Sequence, residues 1–256
     1  MIKLLFYGCF CCFLLVSCGE QSNEKQGLQI QVDTLTFFDT LRMRKIPVAL
    51  YHFSIAKHKH CKRLILFNHG YNFNSPNSYL SYSYLMEALA GMGYLVASVQ
   101  QELAGDDTIA FEGDIQKLRR PFWERGAANN SYVIEELKRM QVLSDDAHVS
   151  LIGHSNGGDI VMYQASVDST AIDEVISLDH LRAKVPVRNG LRVLSLRALD
   201  KEPDKGVLPP EPYPAHITIR KLKFTNHSDM SDGNTAIQQQ EVRGHILTFL
   251  DLRKRK

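Results

Sequence analysis

VSLIGHSNGGDIVMY, residues 149–163, is the stretch whose reading decides how this chain folds. A short, largely apolar run enters Gly153-His154-Ser155-Asn156-Gly157-Gly158, and apolar residues resume at Ile160, Val161, Met162 and Tyr163. A run this short, closed by glycine, reads as a strand buried on both faces, and the segment after it as the first turns of a helix. A residue forced into so sharp a strand-to-helix turn has crowded neighbours. Glycines two before and two after Ser155 remove the side chains that would clash, and the hydroxyl then stands clear of the sheet. It also stands at the amino end of a helix, whose dipole favours developing negative charge. The pattern is G-x-S-x-G, with the Asn156 N–H placed to donate to an oxyanion.

Strands and helices alternate outward from this point. LILFN at 64–68, YLVASVQ at 94–100, VISL at 175–178, RVLSLRA at 192–198 and HITIRKLKF at 216–224 read as further strands. Helices are expected over about 79–91, 124–140, from 156 and over about 234–252, where apolar residues recur on one face. Before residue 64 the pattern differs. LQIQV and IPVALYHF read as an antiparallel pair joined by a turn in FFDTLRMRK. The sum is an α/β fold, a mostly parallel central sheet with an antiparallel N-terminal pair and helices on both faces. The longest insertion, about 101–122, is too short for a large cap, so an open site is expected.

In such sheets function collects where strands end at their carboxyl edge. A serine nucleophile needs a base, and the base an orienting acid, in the chain order Ser, acid, His. His227, directly after the last strand in KFTNHSDMSD, stands where the base must be. His216 opens a strand and His245 lies inside a helix, so both read as structural. The acid is sought after RVLSLRA, in LDKEPDKGVLP. Asp200 is preferred there, with Asp204 as the alternative. Asp179, after VISL, reads as a strand-end turn residue. The second oxyanion donor is expected from Asn68-His69-Gly70-Tyr71, through the Tyr71 N–H. His69 and His154 read as packing and hydrogen-bonding residues. His58-Lys59-His60-Cys61 fits no standard zinc spacing, and neither a metal nor another cofactor is expected.

The 256 residues suffice for one medium domain with a real core, and a net charge of +2 argues against a nucleic-acid partner. Residues 1–17 carry Lys3 and an apolar run too short to span a bilayer, as in a secretory leader. Leu15-Val16-Ser17-Cys18 resembles a bacterial lipobox, which implies lipidation of Cys18 and a membrane anchor. Residues 18–27 then form a polar tether, and residues 28–256 the domain. Of five cysteines, only Cys61 lies in the domain, so no disulfide within it is possible. A monomer in the bacterial cell envelope, facing the periplasm or cell surface, is the expected setting.

FNHGY at 67–71, GHSNGG at 153–158, the acidic loop at 200–204 and NHSDM at 226–230 together resemble the α/β-hydrolase superfamily. Within it the chain is similar to the dienelactone-hydrolase and cutinase-like serine esterases, and to an exported lipoprotein branch of Bacteroidetes-type bacteria. The second likeness rests on DTLRMRKIPVALY, RRPFWERG and ISLDHLR. The resemblance implies Ser155 as nucleophile, His227 as base, Asp200 or Asp204 as acid, and Tyr71 and Asn156 at the oxyanion. It implies hydrolysis of a small carboxylic ester through an acyl-enzyme. Amide, peptide or thioester hydrolysis, acyl transfer, or a binding lipoprotein without catalysis are the rivals.

Overall fold

The computed structural model describes residues 29–53, 60–168 and 172–251. The leader, Cys18, the tether, His58, Lys59 and the basic end at 252–256 lie outside the described residues. Eight strands form one sheet: β1 (Ile30–Asp39), β2 (Arg44–Phe53), β3 (Cys61–Asn68), β4 (Leu95–Val99), β5 (Leu143–His154), β6 (Ile172–Leu178), β7 (Arg192–Arg197) and β8 (Ile217–Lys221). Their spatial order is β1-β2-β4-β3-β5-β6-β7-β8. β1 and β2 pair antiparallel with each other, and β2 antiparallel with β4; all other pairs are parallel.

Four helices cover the sheet: α1 (Ser83–Gly91), α2 (Ile115–Arg139), α3 (Asn156–Val167) and α4 (Ala236–Asp251). Alternate strand residues feed two cores. Leu64, Leu66, Leu151, Val175 and Val193 pack under α2 and α3, with Trp123, Val133, Leu137, Ile160 and Val161. Ile65, Phe67, Ile152, Ile176 and Leu194 pack on the other face, with Leu85, Leu89, Val242 and Ile246 of α1 and α4. Each aliphatic side chain buried in this way contributes about 1.5–3 kcal/mol of transfer free energy. Burial on both faces explains why β4 and the last six residues of β5 show no solvent-facing positions.

Several elements depart from the sequence expectations, these among them. The N-terminal strands run further, so the turn is confined to residues 40–43. β8 ends at Lys221, where the apolar alternation slips. α2 begins at Ile115, not near Glu124, and carries Pro121 in its interior. Asp114 caps it by accepting the Lys117 N–H at 3.2 Å. A proline in a helix costs one backbone bond and reads as a boundary, but Arg119 and Trp123 on either side of it are both buried and hold the early turns. No described helix is long and apolar enough to cross a membrane.

Candidate functional site

The loops after β3, β5, β6, β7 and β8 meet at the carboxyl edge of the sheet. β5 ends at His154 and α3 starts at Asn156, so Ser155 alone makes the turn, at φ 51° and ψ −119°. That conformation costs a non-glycine residue on the order of 1–3 kcal/mol and persists only where its surroundings enforce it. The glycines show how. A Cβ on Gly153 would lie 2.2 Å from the Gly157 carbonyl oxygen, and one on Gly157 would lie 2.3 Å from that of Asn68. α3 is thus seated directly on the backbone of β5 and of the loop after β3. A Cβ on Gly70 would strike His154 Nδ1 at 2.7 Å, so this loop passes just over the serine.

Ser155 Oγ lies 2.9 Å from His227 Nε2. His227 Nδ1 lies 2.6 Å from Asp179 Oδ2. A carboxylate only accepts, so Nδ1 carries the proton and Nε2 is left to accept from the serine hydroxyl. Asp179 is fully buried and itself sits at φ 54°. Its other oxygen accepts the Ala198 N–H at 3.1 Å and pairs with Arg197 at 2.9 Å. Burial alone would raise the Asp179 pKa, but the His227 bond, the Arg197 charge and the Ala198 N–H outweigh it and hold the group below its usual range.

The sequence expectation for the acid is therefore corrected. Asp200 does not meet the imidazole; its Oδ1 accepts the backbone N–H of His227 at 2.7 Å and so holds the loop rather than the ring. Asp204, the alternative, pairs with Arg182, and its N–H donates to the Leu181 carbonyl at 2.9 Å. Asp179, Asp200 and Asp204 each follow a strand and satisfy the chain order of the motif. Only the one after β6, the strand next to β5, comes to rest behind His227. A signal was present in Arg197, a buried charge at the carboxyl end of β7, which calls for a buried carboxylate.

Asn156 opens α3, where a backbone N–H has no partner within its own helix. Tyr71 lies in the loop over the serine, and no backbone acceptor takes its N–H among the described residues. The Asn156 side chain is turned away from the serine. Its Oδ1 accepts the Trp123 indole N–H at 3.3 Å, and its Nδ2 donates to Glu102 at 3.1 Å. Behind them Gln101 bonds Asn68, Asn129 and Asn130, and Asn130 donates to Gln164 at 2.8 Å. This buried amide layer, which the sequence did not disclose, ties α2 and α3 to the strand ends.

On the other side, His154 bridges two loops. It is buried, and burial reinforced by the neighbouring His227 pushes its pKa down to about 3, so the ring is neutral. Its Nε2 lies 2.9 Å from the His227 carbonyl oxygen and must donate. Its Nδ1 then accepts from the Tyr82 hydroxyl at 2.8 Å, and that oxygen accepts the Gly70 N–H at 3.2 Å. His69 is held by the Gly70 carbonyl at 2.8 Å and by the Gln101 N–H at 3.1 Å. His216 and His245 are placed away from the serine, on or beside β8 and α4. No group of three potential metal ligands occurs among the described residues.

A cavity of about 350 Å³ opens over Ser155 and His227, lined also by Gly70, Tyr71, Ser81 and Ser231. Larger clefts of about 630 and 650 Å³ lie on the helix-covered flanks and contain neither residue. The smaller cavity is the one the reactive atoms face.

The chain is similar in structure to an esterase of Rhizomucor miehei, at TM-score 0.62 and 13% identity over 89% of this chain and 84% of that one. It is also similar to a dienelactone hydrolase-like promiscuous phosphotriesterase from metagenomic libraries, at TM-score 0.57 and 14% identity over 87% and 98%. A third such structure is Thermogutta terrifontis esterase 2 phosphonylated by cyclosarin, at TM-score 0.57 and 11% identity over 89% and 94%. The sequence matches no protein-family model and no curated protein sequence.

Proposed function

We propose, from the premise that this chain has the α/β-hydrolase fold, that it is a serine hydrolase acting on carboxylic esters. The observation that carries this reading is the unbroken line from Ser155 Oγ through His227 to the buried Asp179, with bonds of 2.9 and 2.6 Å. Ser155 attacks the carbonyl carbon while His227 Nε2 takes the hydroxyl proton. Asp179 keeps the proton of Nδ1 in place and offsets the charge on the imidazolium. The N–H groups of Tyr71 and Asn156 stabilise the oxyanion, each worth about 3–4 kcal/mol. His227 then protonates the departing alcohol, and water releases the acyl group by the same steps in reverse. The esterase neighbours support the same reading. Anchoring by a lipid on Cys18, and a place in the cell envelope, belong to the proposal on the sequence alone.

Pre-steady-state hydrolysis of p-nitrophenyl acetate tests the reading. A burst of one equivalent of p-nitrophenol per chain, followed by slower turnover, is expected. Absence of both burst and turnover would contradict it.

The bridge through His154 has a consequence for rate. Tyr82→Phe keeps the ring packed on Phe67, at 4.6 Å between centroids, but leaves the Gly70 N–H and His154 Nδ1 without their shared partner. Each such loss costs on the order of 1 kcal/mol. Because the bridge links the oxyanion loop to the base loop, kcat is expected to fall about tenfold with KM little changed. A rise in KM at unchanged kcat would show that the bridge only shapes the binding cavity.

A further inference from the structure

On the side of His227 the cavity is lined by serines. Ser228 and Ser231 follow the base on its own turn, and Ser81 faces them from the start of the α1 region. These walls are fastened together. The Asp232 N–H donates to the Ser81 carbonyl at 2.8 Å, and the Asp232 carboxylate accepts the N–H groups of Ser83 and Tyr84 at 2.9 and 3.1 Å. The Tyr84 hydroxyl donates to the Met230 carbonyl at 3.2 Å. The backbone that carries Ser81 is therefore tied to the backbone that carries Ser231.

The cavity lining holds no carboxylate, lysine or arginine. A charged substrate would find no counter-charge there. On the serine side, an alkyl chain would strip water from hydroxyls and return nothing to them. A polyol can both donate to and accept from each serine. The chemistry fixes which half of the ester lies here. His227 must hand its proton to the leaving oxygen, so the alcohol, not the acyl group, lies beside His227, Ser228 and Ser231.

We propose that the leaving group is a neutral, polyhydroxylated alcohol of the sugar or glycerol type, esterified by a small acyl group. This rests on the serine-hydrolase reading above. The acyl C–O bond breaks, the polyol oxygen takes the proton that His227 drew from Ser155, and water then cleaves the acyl-enzyme to acid and free serine. The acyl group departs as the carboxylic acid, and no co-reactant other than water is needed.

The test compares acetyl esters that differ only in the alcohol: monoacetylglycerol, an acetylated methyl glucoside and hexyl acetate, with p-nitrophenyl acetate as reference. At least one polyol ester is expected to exceed hexyl acetate in kcat/KM by about tenfold, the net worth of one or two added hydrogen bonds. Which polyol leads separates the sugar from the glycerol source. The Ser228→Ala/Ser231→Ala variant is expected to lower the polyol-to-hexyl ratio about tenfold, and Ser81→Ala, on the facing wall, to lower it in the same direction. Turnover of p-nitrophenyl acetate with hexyl acetate equal or preferred would overturn the assignment of the alcohol and leave the hydrolase reading standing. Inertness toward every ester would bring down both.

Discussion

Replacing Asp179 with asparagine is expected to lower kcat about 10⁴-fold, the scale set by loss of the orienting carboxylate in serine hydrolases. Asparagine can donate to His227 Nδ1 from the position where Asp179 Oδ2 now accepts at 2.6 Å. That reverses the imidazole tautomer, and a protonated Nε2 cannot take the proton of Ser155. The substitution also leaves Arg197, 7% exposed in its side chain, without its counter-charge. Removing one partner of a buried pair costs about 3–5 kcal/mol, so thermal unfolding should be measured beside the rate. Asp200→Asn is the discriminating comparison. An asparagine oxygen can still accept the His227 N–H, and the rate is expected to stay within about tenfold of the parent. Asp204→Asn, whose change falls on the Arg182 pair, is expected to cost less still. Loss of activity in Asp200→Asn, with Asp179→Asn active, would reverse the assignment made from the geometry.

Ser155→Ala is expected to lower kcat about 10⁶-fold, as removal of the nucleophile does in such sites. It is also the cleanest substitution available. Alanine keeps the same Cβ at φ 51°, so the strain of the turn is unchanged. Ser155 gives up only its bond to His227 Nε2, while its backbone bonds to Leu178 and Asp159 remain. The folded fraction and melting temperature should therefore stay close to the parent's. A folded variant with substantial residual turnover would show that Ser155 is not the attacking group.

Much of the fold is legible in the chain because its strands announce themselves. Five short apolar runs, each stopped by a polar or glycine residue, read as strands of a sheet covered on both faces. The serine turn is legible because glycine is required where backbones touch, and the 2.2 and 2.3 Å approaches at Gly153 and Gly157 give that requirement its cause. His227 is legible because it lies in the loop that follows the last strand. Asp179 is not, for a physical reason. Which of several strand-end carboxylates reaches an imidazole depends on lateral strand order, and β6 beside β5 is a long-range fact. The partner of Arg197 was the available hint, and it points to a residue 18 positions earlier. The start of α2 is hidden by Pro121, whose cost is offset by burial of Arg119 and Trp123. The amide layer of Gln101, Asn129, Asn130 and Gln164 is hidden for a similar reason: amides on a helix read as surface until a second helix covers them.

The central claim is that Ser155 is the nucleophile activated by His227 and Asp179. Labelling with a fluorophosphonate, followed by peptide mapping, tests it most directly, since the reagent needs a serine whose proton is being removed and no particular substrate. One equivalent on the peptide carrying Ser155, and none on Ser155→Ala, is the expected result. No label on the parent protein, or a label that persists in Ser155→Ala, would contradict the claim.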